Sequence, residues 1–519
     1  MVDAAGVKDP GGVPFSPHPR IRKVEFGLKM VRLDGRNFSF GLSIIKQPHM
    51  NPITTSLAAV LAAVPSSSGV LMTQLENILG TSLDMKIAAQ TFEMAEQAEK
   101  RVLAEIQRLQ QILGSVGAHN EFASWMAKPK GEAVAVSAEI SEVLTLFADW
   151  NAKTDGAINA ASEEIARHWK EGKVDVNEAH WALGVGTATR LTDAELRLHT
   201  FAKGYVMEKA ADVALASAGV NGLVLNVGGD ILVKGDWKEP VRISDPRQDA
   251  ENGASLSVVN VENKSIATSG NYRRGEVVDG QWVSHIMDPR TGAPAQEIVS
   301  ATVIHPDAVT AGALATAFNV LSVSESKDLA ANYQDLDYLI VTKNGDQLTS
   351  ESWTGAAPES ASSISMVNMK EKLWAANQEL LINIQVADLG GGARRPYVAV
   401  WVEDADHKPV RRLALWYRKP RWLPDLRSFS EAQRESPIDL MSITSATRSA
   451  GDYSLVWDGK NDQGQFVEQG NYTIYIEAAR EHGSYQLMKQ TMKFDGKSKT
   501  QAIAGNEELS AASLTYRTK

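Results

Sequence analysis

Between residues 95 and 113 the apolar side chains Val102, Ile106, Leu109 and Leu113 fall three or four positions apart, with charged residues between them. That spacing predicts a helix with one buried face. A second helix is expected over 203–219, with Val206, Ala210, Val213 and Leu215 turned inward, and a third over 310–321. "VNGLVLNVGGDILVKG" (220–235) reads as an apolar strand broken at Gly228-Gly229 and resumed at Ile231. A glycine pair in such a run marks a bulge or a close approach of backbone or ligand. "ATVIHP" and "DYLIVT" add strands between the helices, so this part of the chain is expected to be α+β.

Past residue 370 the period changes. "INIQVAD", "YVAVWVED" and "NYTIYIEAA" alternate apolar and polar residues over strand lengths, and "YSLVWDGKNDQGQFVEQGNY" reads as two strands around Asp-Gly and Asn-Asp-Gln-Gly turns. An all-β immunoglobulin-like sandwich is expected over 371–498. The Ser, Ala, Pro and Glu content of 353–370 breaks all periodicity and reads as a linker behind a body spanning 71–352. Residues 499–519 are expected to form a flexible tail. Residues 1–70 read as a disordered arm with a possible export signal: "TTSLAAVLAAVPSSSG" has a short apolar core and a small-residue tail, and Met30 or Met50 would be a natural start.

Composition narrows the function classes. At 519 residues and 43% hydrophobic, the chain is long enough for two or three cores. A net charge of -10 gives no basic footprint for nucleic acid. Without cysteine there is no disulfide, thiol nucleophile or thiolate metal site. No apolar run reaches the roughly 18 residues of a membrane-spanning helix.

Candidate chemistry sits in Gly-rich polar clusters along the body. They are "LGTS" with Gly80 and Thr81, "TDGAIN" with Asp155 and Gly156, and "FAKGY" with Lys203 and Gly204. Further on come "NVGGD" with Asn226, Gly228, Gly229 and Asp230, then "TSGNYRR" with Ser269, Gly270 and Tyr272, and "SHIMDPRTG" with His285, Asp288, Arg290 and Thr291. Glycine lets main-chain amides approach phosphate oxygens. Lys203 and Arg290 would neutralise a diphosphate, Tyr272 offers a stacking face, and His285 is the neutral-pH base of the set. An ordinary strand-end histidine is the alternative reading of His285. Asp230, Asp245 and Asp288 admit a paired-carboxylate hydrolase, but nothing sets their separation. His285 and His305 lack metal-ligand spacing. Arg273-Arg274 and Arg411-Arg412 read as solvated faces.

In that order, "AKGY", "N-x-GGD", "TSG-x-Y", "H-I-x-DP-x-TG" and "A-x-ALATA" resemble the FAD:protein FMN transferases, the ApbE-type flavin transferases, over roughly half the chain. The resemblance implies FAD as substrate, split at its diphosphate with Mg2+ bound, and FMN esterified to a Thr or Ser of an acceptor flavoprotein. His285 would then be the base. The family's metal site uses an Asp and a Thr four residues apart on a helix, together with a main-chain carbonyl at the place of Ala202. Here Thr316 is kept while Gly312 stands where the Asp is expected, and magnesium prefers anionic oxygen. Two function classes follow: a transferase, or a flavin-nucleotide-binding protein without turnover. "DGAINAAS" and His199-Thr200-Phe201 also differ from the family pattern.

The C-terminal part is similar to the DUF2271 type of predicted periplasmic domain and to the Ig-like module of flagellar hook-cap proteins. Its "MSITSATR" is close to the flavin-acceptor pattern, with Thr447 as the possible self-flavinylation acceptor, but Met441 holds the Asp position and Asp439 lies two residues early. A polar loop before a strand is the alternative there.

Overall fold

The main sheet of the body stacks its strands in sequence order, with two of the neighbouring pairs joined by two-residue hairpins. The computed structural model describes residues 69–114, 120–168, 179–248, 250–253, 255–271, 275–278, 281–284, 286–356, 372–390, 394–417, 420–438, 440 and 443–519. The expected export segment and most of the linker lie outside the described residues.

Ten strands make up the body's two main sheets: β1 (Gly69–Ile78), β2 (Thr81–Ala89), β3 (Val220–Val227), β4 (Asp230–Gly235), β5 (Glu239–Ser244), β6 (Ser255–Val261), β7 (Ser265–Gly270), β8 (Ile298–His305), β9 (Asp337–Thr342) and β10 (Gln347–Thr349). All but β5 and β6 form one antiparallel sheet in the order β1-β2-β3-β4-β7-β8-β9-β10. Successive side chains on a strand face opposite ways. Leu223 and Leu225 of β3 therefore join one core, and Val224 joins the other.

The first core lies under helices α1 (Phe92–Leu113), α2 (His199–Leu215) and α3 (Ala308–Val320). On α1 the four residues expected inward are buried, and Thr91 caps the helix by accepting from the Met94 amide. On α2 the buried face agrees with the expected one at Val206 and Ala210 and departs from it at Leu215. Val206, Ala210, Ala211 and Ala214 are inside, while Leu215 is exposed at the helix end. Small residues dominate because α2 and α3 cross closely: a Cβ on Gly204 would lie 2.7 Å from the Ala308 carbonyl oxygen. The second core is roofed by the β5–β6 hairpin through Val241, Ile243, Val259 and Val261.

Among its described residues the C-terminal part has nine strands: β11 (Gln378–Val386), β12 (Tyr397–Glu403), β13 (Pro409–Trp416), β14 (Thr444–Ser445), β15 (Gly451–Trp457), β16 (Gly470–Ala479), β17 (Tyr485–Phe494), β18 (Lys499–Ile503) and β19 (Leu509–Thr518). They form sheets β15-β11-β19-β18 and β14-β13-β12-β16-β17, which share one apolar core. The flexible tail expected from residue 499 is corrected here. β19 pairs with β11 over nine residues, and Leu514 and Tyr516 are fully buried, because their period-2 pattern faces the core.

β12 is buried on both faces. The second face is covered by helix α4 (Arg427–Glu435), which the alternation did not announce. Glu477 accepts from the Ser428 and Phe429 amides at the start of α4. Arg412, expected on a solvated face, is instead 1% exposed, paired with Asp462 at 2.6 Å and donating to the Ala432 and Ser436 carbonyls at the other end of α4. A carboxylate at the N-terminus and a guanidinium at the C-terminus both oppose the helix dipole.

Candidate active site

Two tight turns meet at one end of the body sheet. Leu79 and Gly80 connect β1 to β2 with φ of 51° and 77°, and Gly228 and Gly229 connect β3 to β4 with φ of 61° and 98°. Positive φ at both central positions matches the twist of a two-residue hairpin. The broken strand expected over 220–235 is therefore a hairpin, with the glycine pair as its turn. Pairing of β2 with β3 puts the turns side by side. The Gly228 amide donates to the Ser82 carbonyl at 3.0 Å, and a Cβ on Gly228 would lie 2.4 Å from Thr81 Oγ1. Asn226 braces the glycine turn: its Oδ1 accepts from the Gly229 amide at 3.0 Å, and its Nδ2 donates to Asp84 at 3.3 Å.

These turns open on a cleft of about 860 Å³. Gly80, Thr81, Lys203 and Asn226 line it, as do Gly228, Gly229 and Asp230. The end of β7 contributes Ser269 and Gly270, and α3 contributes Thr316. The structure thus gathers residues from five sequence clusters at one place. It adds others that sequence reasoning passed over, among them Arg242 on β5 and Glu163. The signal for Arg242 was available, since "VRIS" alternates apolar and polar residues and sets Arg242 opposite the buried Val241 and Ile243.

The electrostatics suit an anion. The N-cap of α2, Leu198, makes no side-chain cap hydrogen bond, and His199 and Thr200 line the cleft there. An uncapped helix start draws negative charge. One turn on, Lys203 Nζ donates to Asp230 at 3.3 Å. Burial pushes the Asp230 carboxyl above its ordinary value, against the opposing pull of Lys203. Arg242 is exposed and forms no ion pair among the described residues.

Other expected residues sit outside the cleft lining. Asp155 and Gly156, with φ of 48° and 86°, end the helix Ala138–Lys153, where the Gly156 amide donates to the Asn151 carbonyl at 2.8 Å. The next residues, Ala157, Ile158 and Asn159, reach the cleft instead. Asp288, Arg290 and Thr291 form a turn in which Arg290 is held by Asp288 at 2.8 Å and Glu325 at 2.7 Å. Of that motif, Ile286 and Met287 line the cleft. Gly204 serves the α2–α3 crossing, and Ala202 is buried within α2. Thr447 is 5% exposed in the C-terminal part. His285 and Tyr272 lie outside the described residues. Asp230, Asp245 and Asp288 are each committed to a cation of their own, so they form no carboxylate pair.

The donors expected for a magnesium ion do not fit one. Thr316 Oγ1 donates to the Gly312 carbonyl at 2.9 Å, and Gly312 brings no carboxylate. Among the described residues no cluster of three or more His, Cys, Asp or Glu side chains exists. The space for a carboxylate is present, since a Cβ on Gly312 would meet only the Thr200 carbonyl oxygen, at 3.7 Å.

Residues 79–340 match the ApbE family, and residues 379–511 match a family described as predicted periplasmic protein (DUF2271). The FAD:protein FMN transferase of Escherichia coli K12 is 32% identical over 159 residues, 30% of this chain and 45% of that protein. The one from Vibrio cholerae is 33% identical over 153 residues, 29% of this chain and 45% of that protein. The chain therefore spans about half the length of the curated relatives it matches. Among solved structures, the ApbE protein from Thermotoga maritima is 22% identical, with a TM-score of 0.47 over 55% of this chain and 97% of that one. With the family's pattern running through just over half of its length and enclosing the whole cleft, this chain belongs to the ApbE family.

Proposed function

We propose that the chain is a flavin transferase that binds FAD in the cleft, moves its FMN half to a Thr or Ser hydroxyl of an acceptor redox protein and releases AMP. The observation that carries this is the anion-suited cleft, which lies inside the segment shared with proteins named FAD:protein FMN transferase. Its volume is in the range of nucleotide-sized sites. In the transfer, the acceptor oxygen bonds to the FMN phosphorus as the bridging P–O bond breaks, and AMP departs with that electron pair. The hydroxyl proton must pass to a base, because an alcohol is a poor nucleophile at neutral pH. His285 is the residue we assign to it. The α2 N-terminus, Lys203 and the amides of the Gly228-Gly229 turn would hold the diphosphate and spread its developing charge.

Magnesium is implied by the family, but the donor set around Gly312 does not suit it. That mismatch favours a second reading, in which FAD or FMN is bound without turnover. We also propose an exported, periplasmic location, an immunoglobulin-like topology for the C-terminal sheets, and Thr447 as an internal acceptor. The burial of Thr447 weighs against the last.

The test is incubation of the full chain with FAD, magnesium and an acceptor bearing the threonine motif, followed by in-gel flavin fluorescence. The transferase reading expects a fluorescent acceptor from the native chain and its loss in His285→Ala. A band from Gly312→Asp alone would establish the binding-only reading. If the native chain and Gly312→Asp give no band and neither binds FAD, both readings fail.

A further inference from the structure

We propose that the C-terminal part holds one wall of the cleft in place, with Asn252, Glu251 and Arg448 as the positioning residues. The wall is β5, which brings Arg242 and Ser244 to the cleft. β5 and β6 are joined by a segment that leaves the body and runs along β15, the outer strand of a C-terminal sheet. An outer strand carries open main-chain donors and acceptors. Here three of them are taken up. Asn252 Nδ2 donates to the Val456 carbonyl at 2.9 Å, and the Val456 amide donates to Asn252 Oδ1 at 2.7 Å. The Glu251 amide donates to the Ser454 carbonyl at 2.9 Å. One side-chain amide and one main-chain amide thus stand in for a neighbouring strand.

An ion pair fixes the same segment. Arg448 is set by its own side of the contact: it lies over the Trp416 ring at 5.2 Å and donates to the Ala446 carbonyl at 2.8 Å. So oriented, it meets the Glu251 carboxylate through Nη2 at 2.9 Å and Nε at 3.1 Å. Planar pairing of this kind fixes direction as well as distance. The inner face of the hairpin rests on the body through Val241, Ile243, Val259 and Val261. Its far end is held by the C-terminal part. Without that hold, β5 keeps its apolar seat but gains freedom at the end that leaves the cleft.

The ligand's identity rests on the function proposed above; the hold itself does not. The experiment uses the full chain and the variants Asn252→Ala and Arg448→Gln, with two readouts: hydrogen exchange of the amides in 239–244, and FAD affinity by flavin fluorescence. The expected result is exchange about tenfold faster in 239–244, with β1 to β4 and β11 unchanged. FAD should bind about fivefold more weakly, appearing as a raised KM with kcat kept. Exchange in 239–244 at the native rate would overturn the inference. A rise across the whole body in both variants would also overturn it, since the contact would then support folding rather than position. If the native chain takes no FAD, the exchange readout still decides the hold, and the failure belongs to the proposed function.

Discussion

Asp84 shows how one side chain can set a pH dependence. Burial pushes its carboxyl from an ordinary 3.8 up to about 6, against the opposing pull of Arg448 and Lys86. A raised acid pKa means that the folded state binds the proton more tightly than the unfolded one. The stability it contributes is therefore complete below pH 3.8 and lost as pH rises through about 6. The loss is on the order of 3 kcal/mol. Asp84→Asn is expected to raise the melting temperature at pH 7 and to flatten its fall between pH 4 and 6; a variant that melts lower at pH 7 would contradict this. At Gly228 the constraint is steric. Gly228→Ala puts a methyl group against Thr81 at a φ of 61° and should cost roughly 1–3 kcal/mol, measured by urea unfolding. The importance of Gly228 was legible as a glycine pair in an apolar run. That Thr81 is what demands it was not, because the two meet only through strand pairing.

Period decides what can be read at the element scale. α1 was legible because one of its faces is apolar and the other is not, and the strands "ATVIHP" and "DYLIVT" because each is a short apolar run buried on both faces. On α2 the expected Val206 and Ala210 are buried, while Ala211, Ala214 and Gly204 were passed over because small residues carry little hydrophobic signal, yet close packing against α3 requires glycine at 204. The last two strands were missed because their solvent-facing positions are rich in Ser, Thr and Lys and resemble a polar tail. Truncation after residue 498 removes both β18 and β19, leaving β11 without its partner on that side, and should yield a chain whose C-terminal part does not unfold cooperatively. Arg412→Ala leaves Asp462 and two α4 carbonyls without their buried donor. The expected loss is about 3–5 kcal/mol by denaturant titration, and a change under 1 kcal/mol would mean that the helix clamp is ornamental.

At the scale of the whole molecule, the cleft is an assembly of turns that are distant in sequence, and its membership was only partly legible. Motifs named the glycine turns, Lys203 and Asp230. They also named Arg290, whose guanidinium is instead locked between Asp288 and Glu325 outside the cleft lining. A motif records residue types and spacing but not which neighbour claims a charge. The contact between the C-terminal part and the β5–β6 connection had no sequence signal, since Glu251, Asn252 and Arg448 are ordinary polar residues until the fold brings them together. In the proposed transferase this cleft receives the diphosphate of FAD, with Lys203 as its cation. Titration of FAD into the full chain by calorimetry tests it directly, beside Lys203→Gln. One site per chain is expected, with affinity weakened about tenfold in the variant, in line with the loss of one charge-assisted contact. Equal affinity of the two proteins, or no binding to the native chain, would contradict it.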